Sequence, residues 1–332
     1  MDAISSESCV SIQPKPILIL GGSGFIGTRL TSLLAEQKTP VSIGDIRQSE
    51  RFPELWSVCD VRQSETLVEL FRSAETVINL AAEHRDDVRP LSRYHETNVH
   101  GASEVCIAAR KAGVRKIIFT SSVAVYGFHS RPVDESGLFA PFNEYGRTKL
   151  EAEGIYRAWA AEDPARTLVI VRPSVVFGEG NRGNVYNLLH QIASGRFLMV
   201  GSGNNAKSMV YVGNIVSFLR HTISLGPGEH VFNYVDGPDM DTSTLVEHIR
   251  RCLNKPGTVV RIPEAVVLAG GHLLDCVARI TGRRFAISAI RVRKFCESTQ
   301  FRADRAAESG FKAPYSLSEG LARTIQFEFF AK

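Results

Sequence analysis

The feature that most constrains this chain is a glycine-punctuated turn. Ile17-Leu18-Ile19-Leu20 reads as a short buried strand, Gly21-Gly22-Ser23-Gly24-Phe25-Ile26-Gly27 follows at once, and Leu30, Leu33 and Leu34 then recur at helical spacing. The order is strand, glycine turn, helix. Gly21 permits the tight turn, Gly24 lets a diphosphate approach the backbone at a helix N-terminus, and Gly27 allows the helix to lie close on the strand. Glycines also make plain turns, so the residues that follow decide.

A second strand, Val41 to Gly44, ends in Asp45 about one βαβ unit after the glycines, where a carboxylate bonds a ribose 2′-OH and repels a 2′-phosphate. NAD is therefore expected over NADP, a preference that Arg47 weakens a little. The other reading of Asp45 is a surface residue closing a strand. Asp60 and Val61 follow a third short segment, with Asp60 able to face an adenine. Thr76 to Leu80 is the next strand, and Ala81 and Ala82 after it are small enough for a dinucleotide to lie flat across the sheet edge. His84, Arg85, Asp86 and Asp87 then open a polar loop at the carboxyl end of that strand, where open α/β sheets bind ligands. They are either substrate contacts or a solvated loop.

A long helix from about Ser92 to Ala112 carries the amide of Asn98 among apolar residues, and Lys116 to Thr120 gives another buried strand that runs into Ser121, Ser122 and Val123. Asn143 to Lys149 then starts a helical pattern that continues through Trp159. Tyr145 and Lys149, four apart, stack on one helix face, so an ammonium can sit beside a phenol. A cation at ~4 Å and an effective dielectric of ~20 contributes up to about 4 kcal/mol, or roughly three pK units, enough to bring a tyrosine toward neutral pH. Alone, such a pair is an ordinary amphipathic helix face.

Composition bounds the rest. A chain of 332 residues, 44% hydrophobic, buries a large core in one or two domains, and a net charge of +4 is too small to argue for nucleic acid. The six cysteines are scattered without a Cys-x-x-Cys pair, so neither a metal nor a disulfide framework is expected and a reduced cytoplasm fits. Met1 to Lys15 has neither a basic nor an apolar signal region, and no run of about 18 apolar residues offers a membrane span.

Taken in order, GGSGFIG, Asp45, Asp60-Val61, Leu80-Ala81-Ala82, Asn98, TSSVAVYG, Tyr145-Gly146-Arg147-Thr148-Lys149 and Arg172-Pro173 resemble the extended short-chain dehydrogenase/reductase family, which includes sugar epimerases and dehydratases. The resemblance spans essentially the whole chain. It implies an α/β fold: a doubly wound parallel Rossmann sheet that binds NAD, residues 1–178, with a smaller C-terminal substrate-binding domain, residues 179–332, from which about 208–235 returns to the sheet. It also implies a homodimer. By it, Ser122, Tyr145 and Lys149 are catalytic and Asn98 supports the lysine through the active-site helix. The cofactor contacts it implies are Gly21, Ser23, Gly24, Phe25, Ile26, Gly27, Asp45, Asp60, Val61, Leu80, Ala81, Ala82, Asn98, Tyr145, Lys149 and Pro173.

The second half is less regular. Asn181-Arg182-Gly183-Asn184 places a cation and amides at the entrance of a helix from about Val185 to Ser194, suited to a diphosphate or a carboxylate. Lys207 falls where the family usually has a diphosphate-binding Arg. Candidate substrate contacts are thus His84, Ser122, Val123, Arg182, Asn184 and Lys207. Val175 stands where many nucleotide-sugar members carry Asn, and Asn214 where Asp is common, which leaves the nucleotide handle of the substrate open. Ala265 to Leu274 is apolar, and Arg279, Arg283, Arg284, Arg291, Arg293 and Lys294 follow, a pairing suited to an anionic lipid surface, a solvated face or an oligomer contact.

HRDDVRPLSRY, FTSSVAVYGF, GNRGNVYNLLHQIASG, SMVYVGNIV, FNYVDGPD and RKFCESTQF are similar to a narrower group, bacterial epimerases acting on N-acetylglucosamine diphospho-undecaprenol for O-antigen assembly. The expectation is a cytoplasmic sugar 4-epimerase with a lipid-linked or nucleotide-linked sugar-diphosphate substrate, peripheral at the membrane. A nucleotide-sugar 4-ketoreductase and an idle dinucleotide-binding scaffold are the other classes.

Overall fold

The computed structural model describes residues 15–85, 88–129, 131–255, 257–269 and 297–331. Seven parallel strands make the main sheet: β1 (Ile17–Leu20), β2 (Val41–Asp45), β3 (Trp56–Val58), β4 (Thr76–Asn79), β5 (Lys116–Thr120), β6 (Thr167–Pro173), and Gly228–Tyr234 at the far edge. From one edge the order is β3, β2, β1, β4, β5, β6 and Gly228–Tyr234. The chain thus leaves β1 in one direction and returns to β4 on its other side. That reversal opens a crevice at the carboxyl ends of β1 and β4, the place where doubly wound sheets take ligands.

Between its edge strands the sheet is buried on both faces, and a period of two sorts its side chains. Ile17, Ile19, Ile78, Ile118, Val169 and Val171 pack against α1 (Phe25–Glu36) and the helix Val212–Thr222. Their neighbours Leu18, Leu20, Val77, Ile117, Phe119, Leu168 and Ile170 pack on the other face. The partners there are α2 (Ser64–Arg72), a long rod, and α5 (Glu144–Ala161), which contributes Ala152, Tyr156 and Trp159. Continuous apolar strands follow from this double cover. Each fully buried leucine or phenylalanine contributes about 2 kcal/mol.

The rod is α3 (Ser92–Tyr94), a π-helical turn (His95–His100) and α4 (Gly101–Ala112) run together. Helical spacing gave its ends but not the π turn. Beyond β6 the strands shorten. β7 (Val175–Phe177) pairs with Met209–Tyr211, and Met199–Val200 pairs with Arg261–Ile262. The segment about Thr299 laces this part to the sheet: Thr299 N donates to Ala206 O (2.9 Å), and Asn233 Nδ2 of the edge strand donates to Arg302 O (3.2 Å).

Candidate active site

Asn143 starts α5 in an extended conformation and accepts a hydrogen bond from Gly146 N at 2.8 Å, capping the helix. Tyr145 is thereby fixed in the first turn, half-buried, with Lys149 one turn along the same face. Lys149 is only 2% exposed, and its ammonium lies 4.3 Å from the centre of the Phe119 ring on β5. Burial pushes its pKa down to about 7, with the Glu153 charge pushing the other way. The charge expected to assist the phenol is therefore conditional on pH.

The three hydroxyls after β5 are sorted by their partners. Thr120 Oγ1 is buried without a hydrogen bond. Ser121 is committed to the interior, donating to Glu153 Oε1 at 2.6 Å. Ser122, half-buried, uses Oγ to accept from Ala124 N (3.2 Å) as cap of the turn Val123–Val125, which leaves its proton to donate. Val123, half-buried, follows at the same strand end.

Behind this edge sits a buried polar network that sequence reasoning missed apart from Arg172. Arg172 grips Glu153 with two bonds, Nε to Oε1 at 2.8 Å and Nη2 to Oε2 at 2.6 Å. Its Nη1 donates to Tyr126 Oη at 2.5 Å, and that hydroxyl donates to Asn233 Oδ1 at 2.8 Å. The available signal was Glu153 itself, four residues after Lys149.

Asn98 sits in the π turn and joins two elements. Its Oδ1 accepts from Glu83 N (2.9 Å), while Nδ2 donates to Glu83 O (3.0 Å) and to Thr148 Oγ1 (3.0 Å), next to Lys149. Glu83, not singled out from sequence, lies against Arg85 and Arg93 at 3.3 Å each. Burial raises its pKa, but the Arg85 hydrogen bond and the charges of Arg85 and Arg93 outweigh that and hold it below the ordinary value. His84 is exposed. Asp86 and Asp87 lie outside the described residues.

The glycine loop fits a dinucleotide. Gly21 has φ +75°, and a Cβ there would meet Ala81 N at 2.8 Å, so the loop and the Leu80-Ala81-Ala82 edge touch backbone to backbone. A Cβ on Gly27 would meet Gly22 Cα at 2.5 Å, so only glycine lets α1 begin this close to β1. Gly24 is the N-cap of α1, no side chain caps it, and Phe25 and Ile26 open the helix, whose first turn has N–H groups without helical partners. Asp45, at the end of β2, accepts from Ser23 N at 3.1 Å. Asp60 is held by Arg62, Nη2 to Oδ2 at 2.6 Å, and Val61 packs beneath Gly101. Pro173 ends β6, buried at the sheet edge.

The C-terminal candidates are less assembled. Arg182 stacks on Tyr186 (4.2 Å) and pairs with Glu328 at 2.5 Å, so it is not an open cation at the entrance of α6 (Asn184–Ala193). Asn184 is the first residue of that helix and exposed. Lys207, half-buried, bridges to Thr299 through the backbone. Val175 is 46% exposed. Asn214 needs both halves of its amide: Nδ2 donates to Tyr315 O (2.8 Å) and Oδ1 accepts from Tyr315 N (3.0 Å), which a carboxylate cannot do. The apolar stretch is described only as far as Ala269, and the basic cluster Arg279 to Lys294 lies outside the described residues.

A family model for the NAD dependent epimerase/dehydratase family matches residues 17–234. The chain belongs to this family. Its cofactor is NAD, and the glycine cradle has room for a dinucleotide. Among curated proteins, N-acetyl-alpha-D-glucosaminyl-diphospho-ditrans,octacis-undecaprenol 4-epimerase of Escherichia coli O157:H7 is 47% identical over 94% of this chain and 95% of its own length. UDP-glucose 4-epimerase of Vibrio cholerae is 29% identical over 95% of each. Among solved structures, MoeE5 in complex with UDP-glucuronic acid and NAD superposes with TM-score 0.74 at 25% identity, covering 94% of this chain and 98% of that one. UDP-N-acetylglucosamine 4-epimerase from Bacillus cereus shares the fold, with TM-score 0.75 at 15% identity and coverage of 94% and 99%.

Proposed function

We propose that the chain is a sugar 4-epimerase interconverting N-acetylglucosamine and N-acetylgalactosamine on a diphosphate carrier, and that the carrier is undecaprenyl diphosphate. The observation that carries this reading is the 47% identity, held over 94% of the chain, to an epimerase named for that lipid-linked sugar. The local geometry supports the chemistry: a capped tyrosine, a buried lysine on the same face and a serine hydroxyl at the adjoining strand end.

In this reading Tyr145 removes the proton of the sugar C4 hydroxyl and later returns it, while Ser122 donates a hydrogen bond to that oxygen. Lys149, when protonated, stabilises the phenolate and meets the nicotinamide ribose hydroxyls. NAD, when bound, supplies the place where the C4 hydride is held between removal and return. Gly21, Gly24 and the first N–H groups of α1 hold its diphosphate, and Asp45 its ribose. The transient 4-keto sugar turns over about its diphosphate and takes the hydride back on its other face, so C4 is inverted with no net redox change. Residues 1–178 hold the cofactor in this proposal, the segment about 208–235 completes their sheet, and the rest of 179–332 covers the sugar. A homodimer belongs to the same proposal, and sedimentation checks it.

A lipid carrier also suits the surface beside the helix start. Phe128 and Phe142 stack at 4.5 Å while 43% and 47% exposed, six residues after Ser122 and three before Tyr145. Peripheral contact with a membrane follows from the same reading, and flotation with anionic vesicles tests it. Among the described residues, no helix is long and apolar enough to cross a membrane.

The test is a direct comparison of purified enzyme on N-acetylglucosamine diphospho-undecaprenol and on UDP-N-acetylglucosamine, following C4 configuration by NMR. Turnover of the lipid-linked sugar is expected; turnover of the UDP sugar alone would overturn the carrier assignment. Tyr145→Phe is expected to lose at least 10²-fold in kcat while NAD stays bound.

A further inference from the structure

Glu153 is fully buried, and ordinary packing does not require a charge there. It lies four residues beyond Lys149 on α5, on the same face. Oε1 accepts from Ser121 Oγ (2.6 Å) and Arg172 Nε (2.8 Å), while Oε2 accepts from Arg172 Nη2 (2.6 Å) and has Arg157 Nη1 at 3.2 Å. One carboxylate therefore ties α5, which carries Tyr145 and Lys149, to the ends of β5 and β6, the first of which carries Ser122.

A buried ion pair is a costly way to join three elements, since desolvation consumes much of its attraction and a well-packed apolar set holds as firmly. The retained charge has another recipient. Around Lys149, Tyr145 and Glu153 lie one turn to either side on α5, and β5 presents the face of Phe119. Glu153 is the anion facing the lysine from its own helix, and the groups facing Glu153 are Ser121 from β5, Arg172 from β6 and Arg157 from α5, with Tyr126 behind Arg172.

We propose that Glu153 is a positioning residue of the reaction: it locks the helix of Tyr145 and Lys149 to the strand end of Ser122, and its charge sets the pH range in which Lys149 keeps its proton. The proposal rests on the reading of Tyr145 and Lys149 as the catalytic pair. Burial alone drives Lys149 toward neutrality, and Glu153 opposes it.

The test is the pH profile of kcat. In the wild type the alkaline limb follows loss of the Lys149 proton. Glu153→Gln keeps an acceptor but removes the charge, and the alkaline limb is expected to move down by about one pH unit. Glu153→Asp keeps the charge and is expected to return the limb to its wild-type position even where kcat is lower. Arg157 is partly exposed, so Arg157→Gln leaves the fold intact; it frees more of the Glu153 field and moves the limb up, by less than half a unit. If Glu153→Gln does not fold, the Arg157→Gln shift decides alone. A uniform loss of kcat with unmoved limbs, or no shift in Arg157→Gln, would overturn the proposal. Tyr145→Phe run in parallel separates the layers: activity retained there removes the catalytic reading itself, whatever Glu153 does.

Discussion

At the scale of single residues, the groups that matter most are the ones whose partners are incomplete. Asp236 is 4% exposed; its Oδ2 accepts from Tyr211 N at 2.7 Å, and Oδ1 completes no hydrogen bond although Asn214 and Tyr234 approach it. Burial pushes its pKa up from 3.8 to about 6. A raised carboxyl pKa means that the folded state holds the proton more tightly. Its stabilising contribution is full below the unfolded value of 3.8 and is lost as pH rises through about 6. Asp236→Asn keeps the acceptor for Tyr211 N and removes the titration. The variant is expected to match the wild type at pH 4 and exceed it at pH 8 by on the order of 1–2 kcal/mol in denaturant unfolding. Equal differences at both pH values would show that Asp236 carries no such strain. The sequence shows this aspartate only as part of FNYVDGPD, because its environment is completed by Tyr211 and Asn214, which lie far from it along the chain.

At the scale of elements, α5 shows how a local signal becomes a site. Its Tyr and Lys are legible from spacing four; what fixes their position is the cap before them and the two side chains that brace them. The Asn143 cap satisfies Gly146 N, and Asn98 holds Thr148 from the π turn of a different helix. A π turn is often found where a functional side chain must be re-aimed, and here it points an amide at both Glu83 and α5. Asn143→Ala is expected to cost about 1 kcal/mol of stability. Because the first turn frays, kcat is expected to fall several-fold more than that loss of folded protein explains. Asn143→Asp, an equally good cap, is expected to restore both. Urea midpoints beside kcat check it, and an Asp variant as poor as Ala would mean that the amide acts other than as a cap.

At the scale of the whole molecule, the first half was more legible than the second, for a physical reason. Strands β1, β2, β4, β5 and β6 announce themselves by apolar residues, since each is buried on both faces, whereas the edge strand β3 is exposed along Ser57 and Val58. β7 and the strands at 199–200, 209–211 and 261–262 are two or three residues long and stable only through distant partners, leaving no periodicity to read. Arg182 illustrates the gap: its partner Glu328 lies 146 residues away, accepts Gly180 N at 2.7 Å through Oε1, and is itself 3% exposed. The C-terminal segment thus closes over the loop that starts α6. Two roles for Arg182 make different predictions. If it only fastens that segment, Glu328→Gln and Arg182→Gln each cost up to about 1 kcal/mol and leave KM alone, since the arginine is largely exposed. If it also meets the substrate diphosphate, Glu328 competes with the substrate for the same guanidinium. Glu328→Gln, which keeps the bond from Gly180, is then expected to lower KM two- to five-fold while Arg182→Gln raises it, a difference of opposite sign worth about 1 kcal/mol each way. Steady-state kinetics on the lipid-linked sugar with both variants decides between them: KM moving in opposite directions assigns Arg182 to the diphosphate, and KM unmoved in both leaves it a structural tie.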